Sequence, residues 1–410
     1  TTTLTSGEVP ALVSVIATAS SEDGTQSVST ISDPITITSG LPVQSDVTLT
    51  MDGESIVAQG MTVNGITRTF TVTMADNFGQ PVTDGTMAHF EAEFGQIEPS
   101  CQTGVSNGAA IGGVPASGTC SVQWQSADPR LPVGSEQRAA IQTTEDNPSY
   151  VCVGHNGTFG PCPSDLGFTR GGRSTISVST TGQETFADSD GNNIMDPDEA
   201  DDFENLPEAF LDKNEDDAYT PALAECMNDP SSDQCIAGSE ETYRDFNSNG
   251  VYDLNDNPPV YNGLSCPTSG DGVYCSRELV DVRAHMQLVL SEPENNSGDN
   301  WGVVLTRNGI VRNRTTFGDS YSAYVADLYN NQPPAGTVIE VAAFGDCTLE
   351  SAGSFVVTDS LRKGAFEIGI QTGGYGTAES QVRVTVTPPG STPVTKPFGC
   401  DPNEPGSTIP

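Results

Sequence analysis

Short segments in which apolar and polar residues alternate recur along most of the chain. They are rich in Val, Ile, Thr and Ser, and clusters of Gly, Pro, Asn and Asp separate them. Alternation with a period of two puts every second side chain on one face of a strand, as in a sheet that covers a core on one side. Strands are predicted at 45–51, 66–75, 87–94, 119–126, 138–144, 174–180, 279–290, 321–327, 337–344, 354–358, 365–371 and 381–387. The pattern therefore predicts an all-β fold of β-sandwiches in tandem.

The strands group into three units. Residues 1–40 contain only two predicted strands, on either side of a turn at 21–24. Two strands cannot bury a core, so this unit is interpreted as the closing strands of an incomplete domain and as a possible strand donor to another copy of the chain. A second unit is predicted at 41–280, with an acidic insertion at about 184–277, and a third unit with a C-terminal tail at 281–410.

An internal repeat links the second and third units. Residues 75–86 align without a gap with residues 326–337, because Ala-Asp opens and Gly-Thr closes both segments. An apolar strand, a Phe-Gly pair and a cysteine follow each copy: Phe94, Gly95 and Cys101 in one, Phe344, Gly345 and Cys347 in the other. The repeat predicts two domains of one kind.

At these residues the chain resembles a known family. The stretch DNFGQPVTDGTMAHFEAEFGQIEP and the later GTCSVQW are similar to the bacterial immunoglobulin-like (Big-1-like) repeats of invasin/intimin-type adhesins. The segment SGEVPALVSV…ISDPITITSGLP resembles the last strands of such a repeat. The resemblance implies immunoglobulin-like sandwiches in an extracellular stalk. The cysteines and the acidic insertion depart from the simple repeat.

Ten cysteines, an even set, indicate an oxidising compartment and an extracellular or cell-surface protein. Their spacing predicts the pairs Cys101–Cys120, Cys152–Cys162, Cys226–Cys235, Cys266–Cys275 and Cys347–Cys400. A zinc cluster is the weaker alternative, because there is no C-x-x-C motif and the chain has only 3 His.

The chain is strongly acidic, with 55 acidic and 16 basic residues and a net charge of −39. Such a surface repels nucleic acid and anionic lipid, so neither is an expected partner. No apolar run is long enough to span a membrane, so membrane insertion of this segment is not expected. Residues 184–256 hold 22 acidic and 2 basic residues, a net charge of −20. A solvated acidic linker is the simplest interpretation of this segment, but its spacing favours metal binding.

The segment that begins at Asp245 fits the EF-hand calcium-loop template, in which oxygen ligands stand at positions 1, 3, 5, 7, 9 and 12. Gly250 stands at position 6, where the chain must turn sharply, and Val251 would offer its backbone carbonyl. The predicted ligands are Asp245, Asn247, Asn249, Val251, Asp253 and Asp256. Asp in place of Glu at position 12 resembles the dockerin version of the loop. The predicted ion is Ca²⁺.

Two further copies of this loop are predicted. One has the ligands Asp188, Asp190, Asn192, Ile194, Asp196 and Glu199, with an Asn at position 6. The other begins with Asp212, Asn214 and Asp216 and has no carboxylate at position 12. An aromatic residue stands two places before each loop and a large side chain at each position 8: Phe186, Phe210 and Tyr243, then Met195, Tyr219 and Tyr252. These six side chains are predicted to form a small shared core.

No catalytic residue and no organic cofactor site is predicted. Residues 104–108 match G-x-S-x-G, but that motif needs the strand-to-helix turn of an α/β sheet. We therefore expect a structural or adhesive protein of a bacterial surface, a calcium-stiffened stalk or filament subunit. Two alternatives stay open: an array of modules that bind carbohydrate or matrix, in which Trp301 would stack on the ligand, and an accessory region of a larger secreted enzyme.

Overall fold

The computed structural model describes residues 3, 5, 11–21, 23–37, 40–104, 110–111, 114–115, 117–128, 141–144, 147–153, 159–160, 172–200, 202–222, 240–256, 258–291, 302–308, 310–316, 318–326, 331–361, 365–374 and 380–401. Regular structure in these residues is almost entirely β-strand, and the one helical element described is the 3-10 turn Gln44–Asp46. The predicted all-β fold of sandwiches is confirmed. No helix in the described part of the chain has the length and apolarity to cross a membrane.

Two facing sheets form the first sandwich. One has the strand order Val47–Met51, Thr67–Met74, Thr119–Gln125 and Gln96–Ile97. The other has the order Ser100–Gln102, Met87–Ala92, Arg173–Gly182, Val280–Leu290 and Ile56–Val57. Neighbouring strands are antiparallel, except that Ile56–Val57 runs parallel to Val280–Leu290.

The second sandwich repeats this arrangement. One sheet has the order Ile310–Arg312, Gly302–Arg307, Ser320–Ala326, Phe366–Gly374 and Cys347–Leu349. The other has the order Arg314–Thr316, Val394–Asp401, Gln381–Thr387, Val338–Phe344 and Ser354–Val356. The short Arg314–Thr316 strand is again parallel to the last long strand. The internal repeat of the sequence therefore marks two domains of one topology.

The acidic insertion lies between the last two long strands of the first sandwich. Arg173–Gly182 and Val280–Leu290 pair in one register, from Arg173 with Val289 to Gly182 with Val280. In the second sandwich a turn at 388–393 joins the corresponding strands. The predicted domain boundary between residues 280 and 281 therefore falls inside a strand of the first sandwich, whose described part ends at residue 291. The acidic residues identify the insertion in the sequence. The point at which the chain returns to the sheet is indicated only by the alternation of apolar and polar residues.

Trp124 is fully buried in the core of the first sandwich, as its place in an alternating strand predicts. Its Nε1 donates a hydrogen bond to the carbonyl of Phe94 over 2.7 Å. Gly95 follows with φ of 78°, and a Cβ there would lie 2.6 Å from Trp124 Nε1. The Phe94-Gly95 pair is thus a turn that only glycine can make against the indole.

Three predicted disulfides are present, Cys101–Cys120, Cys266–Cys275 and Cys347–Cys400. The predicted pairs Cys152–Cys162 and Cys226–Cys235 involve residues outside the described part of the chain. Cys101 and Cys347 follow equivalent Phe-Gly pairs, yet they lie on strands that do not correspond in the two topologies.

The N-terminal strands stand apart from both sandwiches. Ile16–Ser20 pairs with Ser27–Ile31 and Ala11–Val13 pairs with Ile35–Ile37, all antiparallel. Every residue of the Ile16–Ser20 and Ser27–Ile31 hairpin is exposed. Further short pairs are Ala110–Ile111 with Val114–Pro115, Ile141–Thr144 with Asn147–Val153, and Asn147–Val153 with Phe159–Gly160.

Candidate metal-binding site

The described part of the acidic insertion has very little regular structure. One parallel pair joins Tyr261–Asn262 to Cys275–Ser276, and isolated antiparallel bridges join Phe186 to Phe203 and Phe210 to Tyr243. No helix flanks the candidate loops in the described residues. The described part of the insertion therefore lacks the helix–loop–helix arrangement of an EF-hand.

Three loops, which we call the first, second and third, begin at Asp188, Asp212 and Asp245, and each folds around that carboxylate. One carboxylate oxygen accepts a hydrogen bond from the backbone N–H at position 5 and the other from the N–H at position 6. The distances are 3.2 and 2.8 Å in the first loop, 3.2 and 3.0 Å in the second, and 3.0 and 2.8 Å in the third. The three loops share one turn geometry.

The backbone supports this equivalence. Positions 4 and 6 have positive φ in all three loops: Gly191 and Asn193, Glu215 and Asp217, Ser248 and Gly250. Asn193 adopts a φ of 58°, as expected from the tolerance of Asn for the left-handed region.

Polar side chains converge inside each loop. In the third loop the Nδ2 atoms of Asn247 and Asn249 lie 2.5 and 2.6 Å from the carboxylate of Asp253. In the first loop Asn192 bridges Asp190 and Asp196 at 2.8 and 2.9 Å. The second loop brings Asn214 within 2.9 Å of Asp216. The ligands predicted at positions 1, 3 and 5 therefore lie together in each loop, and those predicted at position 9 join them in the first and third loops.

A glutamate closes the first loop. The N–H of Glu199 donates to the carbonyl of Asp196 over 3.0 Å. Its carboxylate accepts from the N–H of Ser189 at 2.7 Å and from the N–H of Asp196 at 3.2 Å. The carboxylate at position 12 thus ties position 2 to position 9.

Glu241 closes the second loop in the same way, although it lies just before the third loop. Its N–H donates to the carbonyl of Thr220 over 3.0 Å. Its carboxylate accepts from the N–H groups of Lys213 and Thr220, each at 2.8 Å. Those residues are positions 2 and 9. The second loop has no carboxylate at position 12, and Glu241, from a later part of the sequence, supplies it.

Glu208 closes the third loop, although it lies just before the second. Its N–H donates to the carbonyl of Asp253 over 3.1 Å, and its carboxylate accepts from the N–H groups of Phe246 at 2.8 Å and Asp253 at 3.0 Å. Asp256 does not take the closing position predicted for it. Its carboxylate instead accepts from Asn262 Nδ2 at 3.1 Å, and its N–H donates to Asn205 Oδ1 at 3.2 Å.

The second and third loops therefore exchange glutamates. Each glutamate stands four residues before the first aspartate of its own loop and closes the other loop. Glu184 holds the same place before Asp188, and its carboxylate accepts from the N–H groups of Leu206 and Asn262 at 2.8 and 2.7 Å. Spacing within each loop does not reveal these glutamates, but the sequence carries a signal for them. The pattern Glu-x-aromatic-x-Asp occurs three times, at 184–188, 208–212 and 241–245.

Burial changes the electrostatics of these carboxylates. It raises the pKa of Glu184 and of Glu241, each to about 7, although backbone hydrogen bonds oppose the shift. Burial also raises the pKa of Asp212. Hydrogen bonding, first from the N–H of Ser189, lowers the pKa of Glu199. A divalent cation between such groups would supply the missing counter-charge.

The aromatic residues form two cores, not the single shared core that was predicted. Tyr219 stacks on Tyr252 with ring centroids 3.9 Å apart, and Phe210 and Tyr243 pack edge-on around that pair. Phe186 and Met195 belong to a separate cluster, together with Phe203, Tyr261 and the Cys266–Cys275 disulfide. One core thus supports the second and third loops, and the other supports the first.

Polar contacts fasten the insertion to the first sandwich. Asn77, in a turn of the sandwich, donates to Asn193 Oδ1 at 3.1 Å and to Ser265 Oγ at 2.9 Å. Arg244 Nε lies 2.8 Å from Oδ2 of Asp281, and the Asp281 side chain has no solvent exposure. Burial raises the pKa of Asp281 to about 6 despite this partner.

The donor set fits a hard cation. Asp188, Asp190 and Glu199 each place an oxygen within 4.8 Å of the others. Carboxylate, amide and carbonyl oxygens in a flexible loop are the donors that Ca²⁺ prefers. At the edge of the second loop, His285 Nε2 lies 3.8 Å from Asp217 Oδ1, so one nitrogen donor adjoins that loop.

Comparison with known proteins identifies no family. No protein-family profile matches the chain, and no curated protein sequence matches it. Among solved structures, the chain is similar to the adhesin InvE of Yersinia pseudotuberculosis, at 10% identity and a TM-score of 0.21, over 88% of this chain and 60% of that one. It is also similar to a mutant of Salmonella alpha-2-macroglobulin, at 11% identity and a TM-score of 0.20, over 96% of this chain and 28% of that one. The chain spans less than two thirds of either protein, and at these TM-scores neither likeness carries an argument about function.

Proposed function

We propose that this chain is a calcium-stiffened segment of an extracellular structural or adhesive protein, in which the insertion binds Ca²⁺ through its three loops. The observation that carries the proposal is the shared geometry of the loops. Each has an aspartate that folds the turn, a glutamate that joins positions 2 and 9, and left-handed backbone at positions 4 and 6. Three disulfides support an extracellular site of action.

The physical role follows from charge. A net charge of −20 in residues 184–256 is self-repelling. Bound Ca²⁺ converts that repulsion into cross-links, and its binding energy adds to the folding energy of the insertion. A site at hundredfold excess of ion over Kd stabilises the folded state by about 2.7 kcal/mol.

Thermal unfolding with and without calcium tests the proposal. We expect millimolar Ca²⁺ to raise the Tm of the whole chain and a chelator to lower it. The chelator should also weaken the near-ultraviolet circular dichroism signal of the tyrosine cluster, which consists of Tyr219, Tyr243 and Tyr252. A variant with Asp188→Asn, Asp212→Asn and Asp245→Asn should lose the response. As the matched control, Asp52→Asn and Asp128→Asn remove exposed acids outside the insertion and should leave the response intact. A Tm that the chelator leaves unchanged contradicts the proposal.

We further propose that the N-terminal hairpin pairs with another copy of the chain. Ile16 and Ile31 are a cross-strand pair with 67% and 64% of their surfaces exposed. An isolated two-stranded hairpin is marginal in water, and such a pair gains most from a partner strand or face. The proposal that the chain has no catalytic role rests on the sequence alone.

A further inference from the structure

One loop of the second sandwich contacts the first sandwich at two separate points. This loop, which we call the junction loop, spans residues 357–361. Asp359 accepts hydrogen bonds from Ser55, with its carboxylate 3.0 and 3.2 Å from the backbone N and 3.0 Å from Oγ. The carbonyl of Leu361 accepts from Arg173 Nη2 at 3.2 Å. Two attachment points on one loop resist both bending and twisting of the joint.

Arg173 also holds the acidic insertion. Its Nε and Nη2 atoms donate to the two carboxylate oxygens of Glu215 at 2.5 and 3.0 Å. The two side chains are only 4% and 7% exposed. A forked pair of this kind is geometrically strict and is strengthened when water is excluded. One guanidinium thus joins a strand of the first sandwich, the insertion and the junction loop.

The conformation of Glu215 supports a dedicated role. It occupies position 4 of the second loop with a φ of 60°, where the first loop has Gly191. Glutamate in the left-handed region is strained, and such strain persists where the surroundings fix the residue. Here the fork to Arg173 fixes it. The third loop, with Ser248 at this position, shows that the turn itself does not require a carboxylate.

We infer that the acidic insertion is a brace that sets the angle between the two sandwiches, acting through Glu215 and Arg173 on the junction loop. The inference rests on the proposed function only in its last step, in which an ion in the second loop holds Glu215 in place. The brace makes the insertion a part of the joint, although it is inserted into the first sandwich.

The test measures the distance between the sandwiches. Spin labels are attached through azide-bearing amino acids at the exposed positions Gln102 and Glu340, which leaves the native disulfides intact. Double electron–electron resonance then gives the distance distribution of the full chain in calcium and in chelator. Glu215→Gly removes the carboxylate and relieves the strained φ. The matched control, Ser248→Gly, makes the equivalent change in the third loop.

We expect a single narrow distance peak in wild type and Ser248→Gly, and loss of that peak in Glu215→Gly. Glu215→Gln provides a second variant of nearly native shape, and near-ultraviolet circular dichroism of the tyrosine cluster verifies folding. A narrow peak in both Glu215 variants overturns the brace. If chelator broadens wild type to the level of Glu215→Gly, the ion controls the brace. If chelator has no effect while Glu215→Gly is broad, the brace stands and the calcium step fails.

Discussion

Glu208 closes the third loop in the structure, whereas spacing along the sequence predicts Asp256 there, and substitution tests which carboxylate binds the ion. Glu208→Gln removes a carboxylate oxygen that joins positions 2 and 9, so we expect Ca²⁺ affinity at the third loop to fall about tenfold or more. Asp256→Asn changes a group that contacts Asn262 and should leave that affinity within about twofold. Isothermal titration calorimetry measures both. A larger loss of Ca²⁺ affinity in Asp256→Asn than in Glu208→Gln would show that Asp256 is the ligand, as the sequence predicts.

Glu93 is a second residue whose role can be tested. Its Oε1 is sealed from solvent without a hydrogen-bond partner, and burial holds its pKa well above 4.5. Lys213 lowers this pKa, whereas Glu215 and Glu241 raise it further. Since the folded-state pKa exceeds the unfolded value, the native state keeps a proton that the unfolded chain releases. Stability therefore falls as pH rises from about 4.5 through the raised pKa.

The substitution Glu93→Gln should remove the loss of stability that accompanies rising pH. We expect the variant to be more stable than wild type at neutral pH, by on the order of 1 kcal/mol, and its stability to vary less between acid and neutral pH. Denaturant unfolding across that pH range in saturating calcium measures the effect. Glu91→Gln, at an exposed position of the strand Met87–Ala92 that precedes Glu93, is the control. A Glu93→Gln profile parallel to wild type would contradict the argument.

At the scale of elements, the exchanged glutamates make the second and third loops one unit. Closing either loop positions the backbone that carries the other loop's glutamate, so we expect the two loops to bind ions cooperatively. Glu241→Gln, which directly affects only the second loop, should then also weaken ion binding at the third loop.

Terbium bound near Tyr219 and Tyr252 reports ion binding at the two loops by tyrosine-sensitised luminescence, because both tyrosines stand at position 8 of their loops. Glu199→Gln in the first loop is the control and should leave this signal unchanged. Independent, unaltered binding at the third loop would refute the coupling.

The same loops show what the sequence could and could not predict. The ligands at positions 1, 3 and 5 follow from spacing, because a short loop brings them together whatever surrounds it. The closing glutamates of the second and third loops do not follow from spacing, because they depend on which segments pair, and the Phe210–Tyr243 bridge sets that pairing. Sandwich strands were predictable because alternation reports one buried face. Arg173 was not singled out, since a guanidinium at the start of a strand carries no signal of its two distant partners.

At the scale of the whole molecule, the insertion occupies a defined place in the topology that the two sandwiches share. The second sandwich joins its last two long strands by a short turn, and the first places the acidic segment at the same point of one shared topology. Both ends of the insertion therefore continue directly into paired strands of the first sandwich. On the proposed function, this placement lets a segment whose described part has little regular structure act on the stiffness of the chain.

The N-terminal hairpin gives a prediction at this same scale. If its exposed faces pair with another copy, the full chain should self-associate with rising concentration in sedimentation velocity. Removal of residues 1–37 should abolish that association and leave the Tm unchanged, because the Val43–Gln183 bridge and the strand Val47–Met51 of the first sandwich lie beyond the deletion. Ile16→Thr with Ile31→Thr keeps the β-branched shape but removes apolar surface from the cross-strand pair, and should weaken association without unfolding. Thr18→Val with Ser29→Val makes the opposite change at the next pair on the same face, and should strengthen it. A full chain that stays monomeric at every concentration would show that the hairpin has no such partner.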